Sequence, residues 1–334
     1  MTFRILCCCV AAMFLITCTH AQSFYGTRPQ APLGALPFLY NGGFAGEAGG
    51  PRISSYSFLK HTQFSDSWPG DENLFNTGTY IGADHFFKKM RSGVGVLVGQ
   101  QGNDFTYRNT NLSATISPKF SHRDQFTFAP FATLDFARLQ LLPDGYFFKS
   151  GHDISQYTAS AGFLINSQRG YIGLSVEAVR WFGGSSTTVA ADQLQHHLQA
   201  GYTFQKTPQS NFSFTPQLLV SFQHLEFPNQ PPSQTVTTRN RIALADLNLV
   251  CRYKKFIGGI NLDGVMLGYQ NARFKLQVTN FYWDKQESNE AFMLGDSTYI
   301  VSEIMGARSF YRYSGSLSMR YLIRKGGADN PGRF

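Results

Sequence analysis

Residues 110–120 read TNLSATISPKF. Thr110, Leu112, Ala114, Ile116, Pro118 and Phe120 occupy one parity, and Asn111, Ser113, Thr115, Ser117 and Lys119 the other. A period of two places successive side chains on opposite faces of a β-strand. The run is about twice the usual globular strand of about 5–6 residues and matches the roughly 9–11 residues of a tilted membrane-spanning strand. Its polar side is made of Ser, Thr and Asn more than of Lys and Glu, which suits a lumen better than bulk solvent.

The same pattern recurs in both directions. Phe126, Phe128, Pro130, Ala132, Leu134 and Phe136 face away from Thr127, Thr133 and Asp135. Tyr157, Ala159, Ala161, Phe163 and Ile165 oppose Gln156, Thr158, Ser160 and Asn166, and Ile172, Leu174, Val176 and Ala178 oppose Ser175 and Glu177. Alternation continues over 212–222 and 243–253 and ends with Tyr311, Tyr313, Gly315, Leu317, Met319, Tyr321 and Ile323 against Arg312, Ser314, Ser316, Ser318 and Arg320. Aromatic residues gather near strand ends (Tyr321, Trp181-Phe182, Tyr282-Trp283), as in interfacial girdles. Short turns at 88–92, 121–125, 167–170, 207–210 and 254–255 alternate with longer loops at 61–75, 141–153, 183–194 and 226–239. These features predict an all-β fold, a transmembrane antiparallel β-barrel of about fourteen strands with its short turns in the periplasm. The count includes residues 298–306 as a strand, which makes 285–296 a long periplasmic connection.

Bulk composition agrees. Charged residues are 15% of the 334, against about 25% in soluble domains, and aromatics are also 15%. Mean hydropathy is −0.20. After the N-terminal segment no apolar run is long enough for a spanning helix, whereas a closed barrel satisfies its backbone between strands. Arg4, the apolar stretch 5–16 and Thr19-His20-Ala21 read as a signal peptide over 1–21. Leu15-Ile16-Thr17-Cys18 is a poor lipoprotein signal because Thr17 precedes the cysteine. The chain then divides into a glycine-rich periplasmic or plug segment over 22–51, the barrel over 52–323 and a polar tail over 324–334. Four of five cysteines lie in the signal segment, leaving Cys251 as an apolar strand residue. The net charge of +8 is spread along strands and turns with no basic run, so no nucleic-acid partner is expected.

The chain offers no catalytic or metal-binding constellation. Adjacent strand residues point apart, so His196-His197 and Asp84-His85 cannot chelate one ion. His61, His122 and His152 fall in loops or turns. Asp135 and Glu177 read as lumenal carboxylates paired with arginines such as Arg252. Gly93-Val94-Gly95 lies inside a strand and is no phosphate loop. No cofactor, metal, small-molecule substrate or enzymatic activity is expected.

The stretch before the first strand, 38–60, reads FLYNGGFAGEAGGPRISSYSFLK. Within it, Leu39-Tyr40-Asn41-Gly42-Gly43-Phe44-Ala45-Gly46 resembles the "LNPAYAG" element of the PorP/SprF family. Asn41, Ala45 and Gly46 fit, Phe44 stands for the aromatic, and Gly42-Gly43 replaces Pro-Ala. Pro51-Arg52-Ile53-Ser54-Ser55-Tyr56 resembles the arginine-containing first strand that follows. Val265-Met266-Leu267-Gly268-Tyr269, Phe274-Lys275-Leu276 and Tyr282-Trp283-Asp284 are similar to the family's "LLGY…F.LG.SYD" run, and 309–323 resembles its last strand. The resemblance implies a non-enzymatic outer-membrane barrel of the type IX secretion and gliding systems of Bacteroidetes. Its partners would be outer-membrane lipid and either periplasmic secretion subunits or a large secreted adhesin. It also makes Asn41, Phe44, Ala45, Gly46 and Arg52 the signature and periplasmic-face candidates. A channel or transporter for small solutes is the alternative.

Overall fold

Each alternating run becomes a strand, and each strand pairs antiparallel with the next. The computed structural model describes residues 36, 38–64, 73–102, 107–122, 125–141, 152–183, 189–207, 210–226, 239–261, 264–271, 273–281, 285–287, 292–294, 297–299 and 309–323. The expected signal peptide and C-terminal tail lie outside these residues. The barrel strands are β1 (Arg52–Phe64), β2 (Asn73–Phe87), β3 (Ser92–Gly102), β4 (Tyr107–Pro118, resumed over Phe120–His122), β5 (Phe126–Leu141), β6 (His152–Ser167) and β7 (Gly170–Gly183). They continue as β8 (Val189–Tyr202), β9 (Phe212–Glu226), β10 (Arg239–Tyr253), β11 (Phe256–Asn261), β12 (Gly264–Gln270), β13 (Phe274–Phe281) and β14 (Ser309–Leu322). β14 pairs with β1 from Arg52↔Leu322 to Phe64↔Ser309, which closes a fourteen-strand antiparallel barrel among the described residues. Closure removes the sheet edges that would otherwise expose unpaired backbone to lipid.

The strand expected over 298–306 is not one of these fourteen barrel strands among the described residues. Ser297–Tyr299 pairs with Phe292–Leu294 in a hairpin outside the barrel, and Lys285–Glu287 extends the pairing beside the start of β14; residues 300–306 lie outside the described set. Fourteen strands are complete without 298–306, so 285–296 belongs to the β13–β14 connection at the long-loop end. Strand parity explains this. β11, β12 and β13 are short and separated by connections of only two and three residues, which brings β14 back antiparallel with no further crossing. The β12–β13 turn is set by Asn271, whose Oδ1 accepts from the N–H groups of Arg273 and Phe274, each at 2.8 Å.

The faces are inverted relative to a water-soluble sandwich. Ser113, Thr115, Ser117, Thr133, Thr158, Ser160, Gln199, Asn248, Gln277 and Thr279 are buried, while Ile81, Val98, Leu112, Leu174, Leu267 and Val278 are exposed. Polar residues therefore line the lumen and aliphatic ones meet lipid. At the short-turn end, Phe87, Phe120, Phe126, Tyr202, Phe204, Phe212, Tyr253, Phe256 and Tyr321 are exposed and form an aromatic girdle. The six connections at this end (88–91, 123–125, 168–169, 203–211, 254–255 and 271–273) carry nine Lys or Arg and a single acid, Asp124. The seven at the opposite end carry eleven acids and three bases.

Among the described residues an apolar cluster interrupts the lumenal face. Tyr56, Tyr80, Leu97, Ala129, Leu164 and Leu219 project inward and pack with Leu36, Phe38, Leu39, Tyr40, Phe44 and Ala45 from the segment preceding β1. The hydrophobic core of this protein thus lies inside the barrel, between the wall and a folded-in N-terminal segment.

Leu134, mid-way along β5, is 69% exposed on the lipid face. Leu134→Arg is expected to destabilise the barrel by about 2–4 kcal/mol, the range for a cation near the bilayer midplane. Urea unfolding of the lipid-reconstituted protein measures it; an unchanged midpoint would contradict the assignment of faces.

Candidate functional site

The segment from Leu36 to Gly50 winds through successive tight turns. Main-chain bonds run Leu39 N to Leu36 O, Phe44 N to Asn41 O, Ala45 N to Gly42 O and Glu47 N to Phe44 O, between 3.0 and 3.2 Å. Gly42–Phe44 is one turn of 3-10 helix capped by Asn41, whose Oδ1 accepts from Gly43 N–H at 2.9 Å. The other end of the Asn41 amide donates to the Phe163 carbonyl of β6 at 3.2 Å. Asn41 therefore both shapes the turn and fastens it to the wall.

Carbonyls that such a turn leaves outward need donors, because an unpaired buried carbonyl is costly. The wall supplies them. Ser175 Oγ on β7 donates to Tyr40 O at 3.1 Å. Lys119 Nζ, at the break in β4, donates to Gly43 O. Arg52 Nη2 donates to Phe44 O at 3.2 Å. The Phe44 ring meets Tyr171 edge-on, with centroids 5.2 Å apart.

The strongest attachment is ionic. Arg52 opens β1 and faces Asp84 directly across the β1–β2 pair. Arg52 Nε donates to Asp84 Oδ1 at 2.7 Å and Nη2 to Oδ2 at 3.0 Å, a two-point guanidinium–carboxylate contact. Asp84 Oδ2 also accepts from the Gly46 N–H at 2.7 Å. The side chains are 3% and 0% exposed. The pair thus clamps the segment at two points, through the Gly46 amide and the Phe44 carbonyl. Gly46 has φ of +71°, and Gly93 on β3 lies so close that a Cβ there would sit 1.9 Å from Ala45 O. Gly93 relieves crowding from the inserted segment rather than from the barrel wall.

All five candidate residues, Asn41, Phe44, Ala45, Gly46 and Arg52, are buried or, for Gly46, packed against the wall at this one place. Three partners were not among them. Asp84 lies on the lumenal face three residues before the end of β2, a mirror position to Arg52 in the hairpin; recognising it requires the register between β1 and β2. Lys119 stands at a proline-broken strand. Ser221, on β9, completes a polar set around His197: His197 Nδ1 and Ser221 Oγ are 2.5 Å apart, and His197 Nε2 lies 3.5 Å from Glu177 Oε2. Glu177 therefore faces a histidine. His196 points to the opposite face, as the alternation requires. The Ser–His–Glu composition invites a hydrolase reading, but Ser221 is 2% exposed and Tyr40 lies over the imidazole with ring centroids 6.3 Å apart, so the hydroxyl faces packed protein. Among the described residues no group of three or more His, Cys, Asp and Glu side chains could hold a metal ion.

The inserted segment rests on the β1–β7 half of the mouth. On the other side a cavity of about 180 Å³ remains. Leu36, Tyr40, Phe44 and Glu47 bound it on the segment side, and Gln199, Gln217, Arg252, Gln270, Lys275, Gln277 and Arg320 on the wall. It reaches the rim at the β6–β7 turn, through Gln168 and Arg169.

The model of the type IX secretion system membrane protein family PorP/SprF matches residues 33–333. This chain belongs to the PorP/SprF family. The match takes in both the inserted segment and the whole barrel, and it places the protein in the outer membrane as part of the type IX secretion family. A search of curated proteins gave no match. Among solved structures the chain is similar to a Pseudomonas aeruginosa FadL homologue, at 10% identity over 92% of this chain and 99% of that one, with a TM-score of 0.49. It is also similar to the Pseudomonas putida toluene transporter TodX (10% identity, 91% and 100% covered, TM-score 0.46). The translocator domain of the autotransporter NalP from Neisseria meningitidis matches at 7% identity over 82% of this chain and 88% of that one, with a TM-score of 0.40. The transport roles in these names belong to those proteins.

Removing either member of a buried ion pair leaves an uncompensated charge and costs about 3–5 kcal/mol. Asp84→Asn and Arg52→Leu are each expected to lower the urea midpoint by that order and to open the 38–50 segment to protease. The double variant should cost less than the two added together, because the second change removes the charge that the first left stranded. Additive losses in this cycle would show that the two residues do not act as a pair.

Proposed function

We propose that this PorP/SprF barrel is a non-enzymatic scaffold of the type IX secretion and gliding system, which anchors periplasmic secretion subunits or assists the secretion and surface attachment of a partner adhesin. The observation that carries the reading is the use made of the family-like residues. Asn41, Phe44, Gly46 and Arg52 arrange no reacting group; they fix a polypeptide segment inside the periplasmic mouth through backbone hydrogen bonds and one buried ion pair. A mouth built to hold a chain segment in a defined shape is suited to presenting a surface to another protein.

The competing reading is a channel or transporter for small solutes. Filling of the β1–β7 side of the mouth by apolar side chains from Leu36 to Ala45 weighs against free passage. Affinity purification of the full-length protein from detergent extracts of its own cells should recover periplasmic secretion subunits or one very large surface protein. Recovery of neither, together with steady conductance in planar bilayers, would favour the channel and overturn the scaffold.

A further inference from the structure

We infer that the cavity beside the inserted segment is a docking site for an acidic polypeptide segment arriving from the periplasm. The inference rests on the scaffold reading and names the chemistry of its partner. The first support is the charge of the walls. Arg252, Lys275 and Arg320 project into the cavity and Arg169 stands at its rim, against one carboxylate, Glu47. Lys275 and Arg320 face each other directly across the β13–β14 pair. A carboxylate entering the cavity meets both cations from one side.

The second support is the gathering of charge at one end. Eight of the nine basic residues of the short-turn connections are described, at the end of the barrel where the cavity opens, whereas acids predominate in the sequence of the connections between the other strand ends. Such a collar attracts acidic segments toward the mouth and repels basic ones. The third is shape. A cavity of about 180 Å³ takes side chains but no folded element, and glutamine amides line it with further hydrogen-bond donors.

Two other occupants fit less well. Phospholipid headgroups in the bilayer plane reach the outward-facing collar, but the barrel wall separates them from Lys275 and Arg252. The chain's own residues 22–35 carry Arg28 as their single charge and bring no carboxylate.

The test uses the full-length protein in detergent and two fluorescein-labelled peptides of equal length, one rich in glutamate and the other with glutamine in its place. The glutamate peptide should bind, and its affinity should fall at least about tenfold between about 50 mM and about 500 mM salt; the glutamine peptide should bind at least about tenfold more weakly at low salt. Lys275→Gln and Arg252→Gln should each weaken the glutamate peptide by roughly five- to tenfold while keeping the heat-modifiable gel mobility of a folded barrel. Equal binding of the two peptides overturns the inference whatever the variants do, so a variant that fails to fold does not protect it. Full binding by folded Lys275→Gln and Arg252→Gln would place the peptide elsewhere and also overturn it. A third arm reconstitutes the protein in nanodiscs of anionic or zwitterionic phospholipid; loss of peptide binding only in the anionic discs would make the mouth a lipid site. Affinity purification that recovers a periplasmic partner while the peptide arms fail leaves the scaffold reading standing and removes this one alone.

Discussion

A barrel of fourteen strands is too wide to be filled by its own side chains. About eight strands leave an interior that side chains can pack, and 16–18 leave a water-filled channel. This protein lies between those cases, and its lumen is furnished from elsewhere in the chain. The segment before β1 turns into the mouth, brings Leu36, Phe38, Leu39, Tyr40, Phe44 and Ala45, and meets an apolar seat on an otherwise polar wall. The lipid face needs no such core, because aliphatic side chains there are already in an apolar solvent. What the inserted segment adds is an apolar cluster inside the lumen that leaves water on folding.

Insertion creates a second requirement. A segment with no sheet partner carries backbone groups into a confined lumen, where each must find a hydrogen bond. Its own turns satisfy some; side chains of the wall satisfy the carbonyls of Tyr40, Gly43 and Phe44. Arg52 and Asp84 then serve three purposes. They neutralise each other, they hold the segment through Gly46 and Phe44, and they tie β1 to β2 next to the seam where β1 meets β14. Insertion of the segment and closure of the barrel therefore share a residue, so loosening one disturbs the other. Buried ion pairs of this kind contribute little net stability compared with an apolar replacement. Their value here is geometric, since a displaced segment would strand both charges.

Most of the barrel was legible in the sequence because its code has a short period. Alternation at 110–120, 126–136, 172–178 and 311–323 assigns each residue to lipid or lumen without knowledge of any partner strand, and the observed burial follows it. The failures concern quantities that period two does not contain. Residues 298–306 look like a strand, yet membership depends on parity, which the two- and three-residue connections around β12 decide. The seat for the inserted segment is visible in hindsight as Leu97, Ala129, Phe131, Leu164 and Leu219 on the polar parity, where a lumen open to water would place Ser or Thr. Asn41, Phe44, Gly46 and Arg52 stood out through family resemblance, whereas Asp84, the acceptor that Arg52 and Gly46 share, required register across a loop. The basic residues were the least legible. They are scattered along the chain, and only the alternation of strand direction collects them at one end.

That collection gives the mouth two unlike halves. Against β1–β7 the lumen is packed and fixed by a short-range ion pair. Against β8–β14 it is hollow and cationic, with Arg252, Lys275 and Arg320 reaching into about 180 Å³. Electrostatics in the two halves therefore act at different ranges. The Arg52–Asp84 pair is a contact interaction whose field largely cancels within a few ångströms, so it fixes structure and attracts nothing. The hollow half and its basic collar carry an excess of positive side chains, whose field extends about a Debye length, roughly 8 Å at physiological salt, beyond the rim. Compensation in the packed half is built into the chain, while in the hollow half Glu47 supplies one negative charge among several positive ones. The charge of the folded barrel is thus distributed asymmetrically, and its more cationic side is the one that opens at the short-turn end.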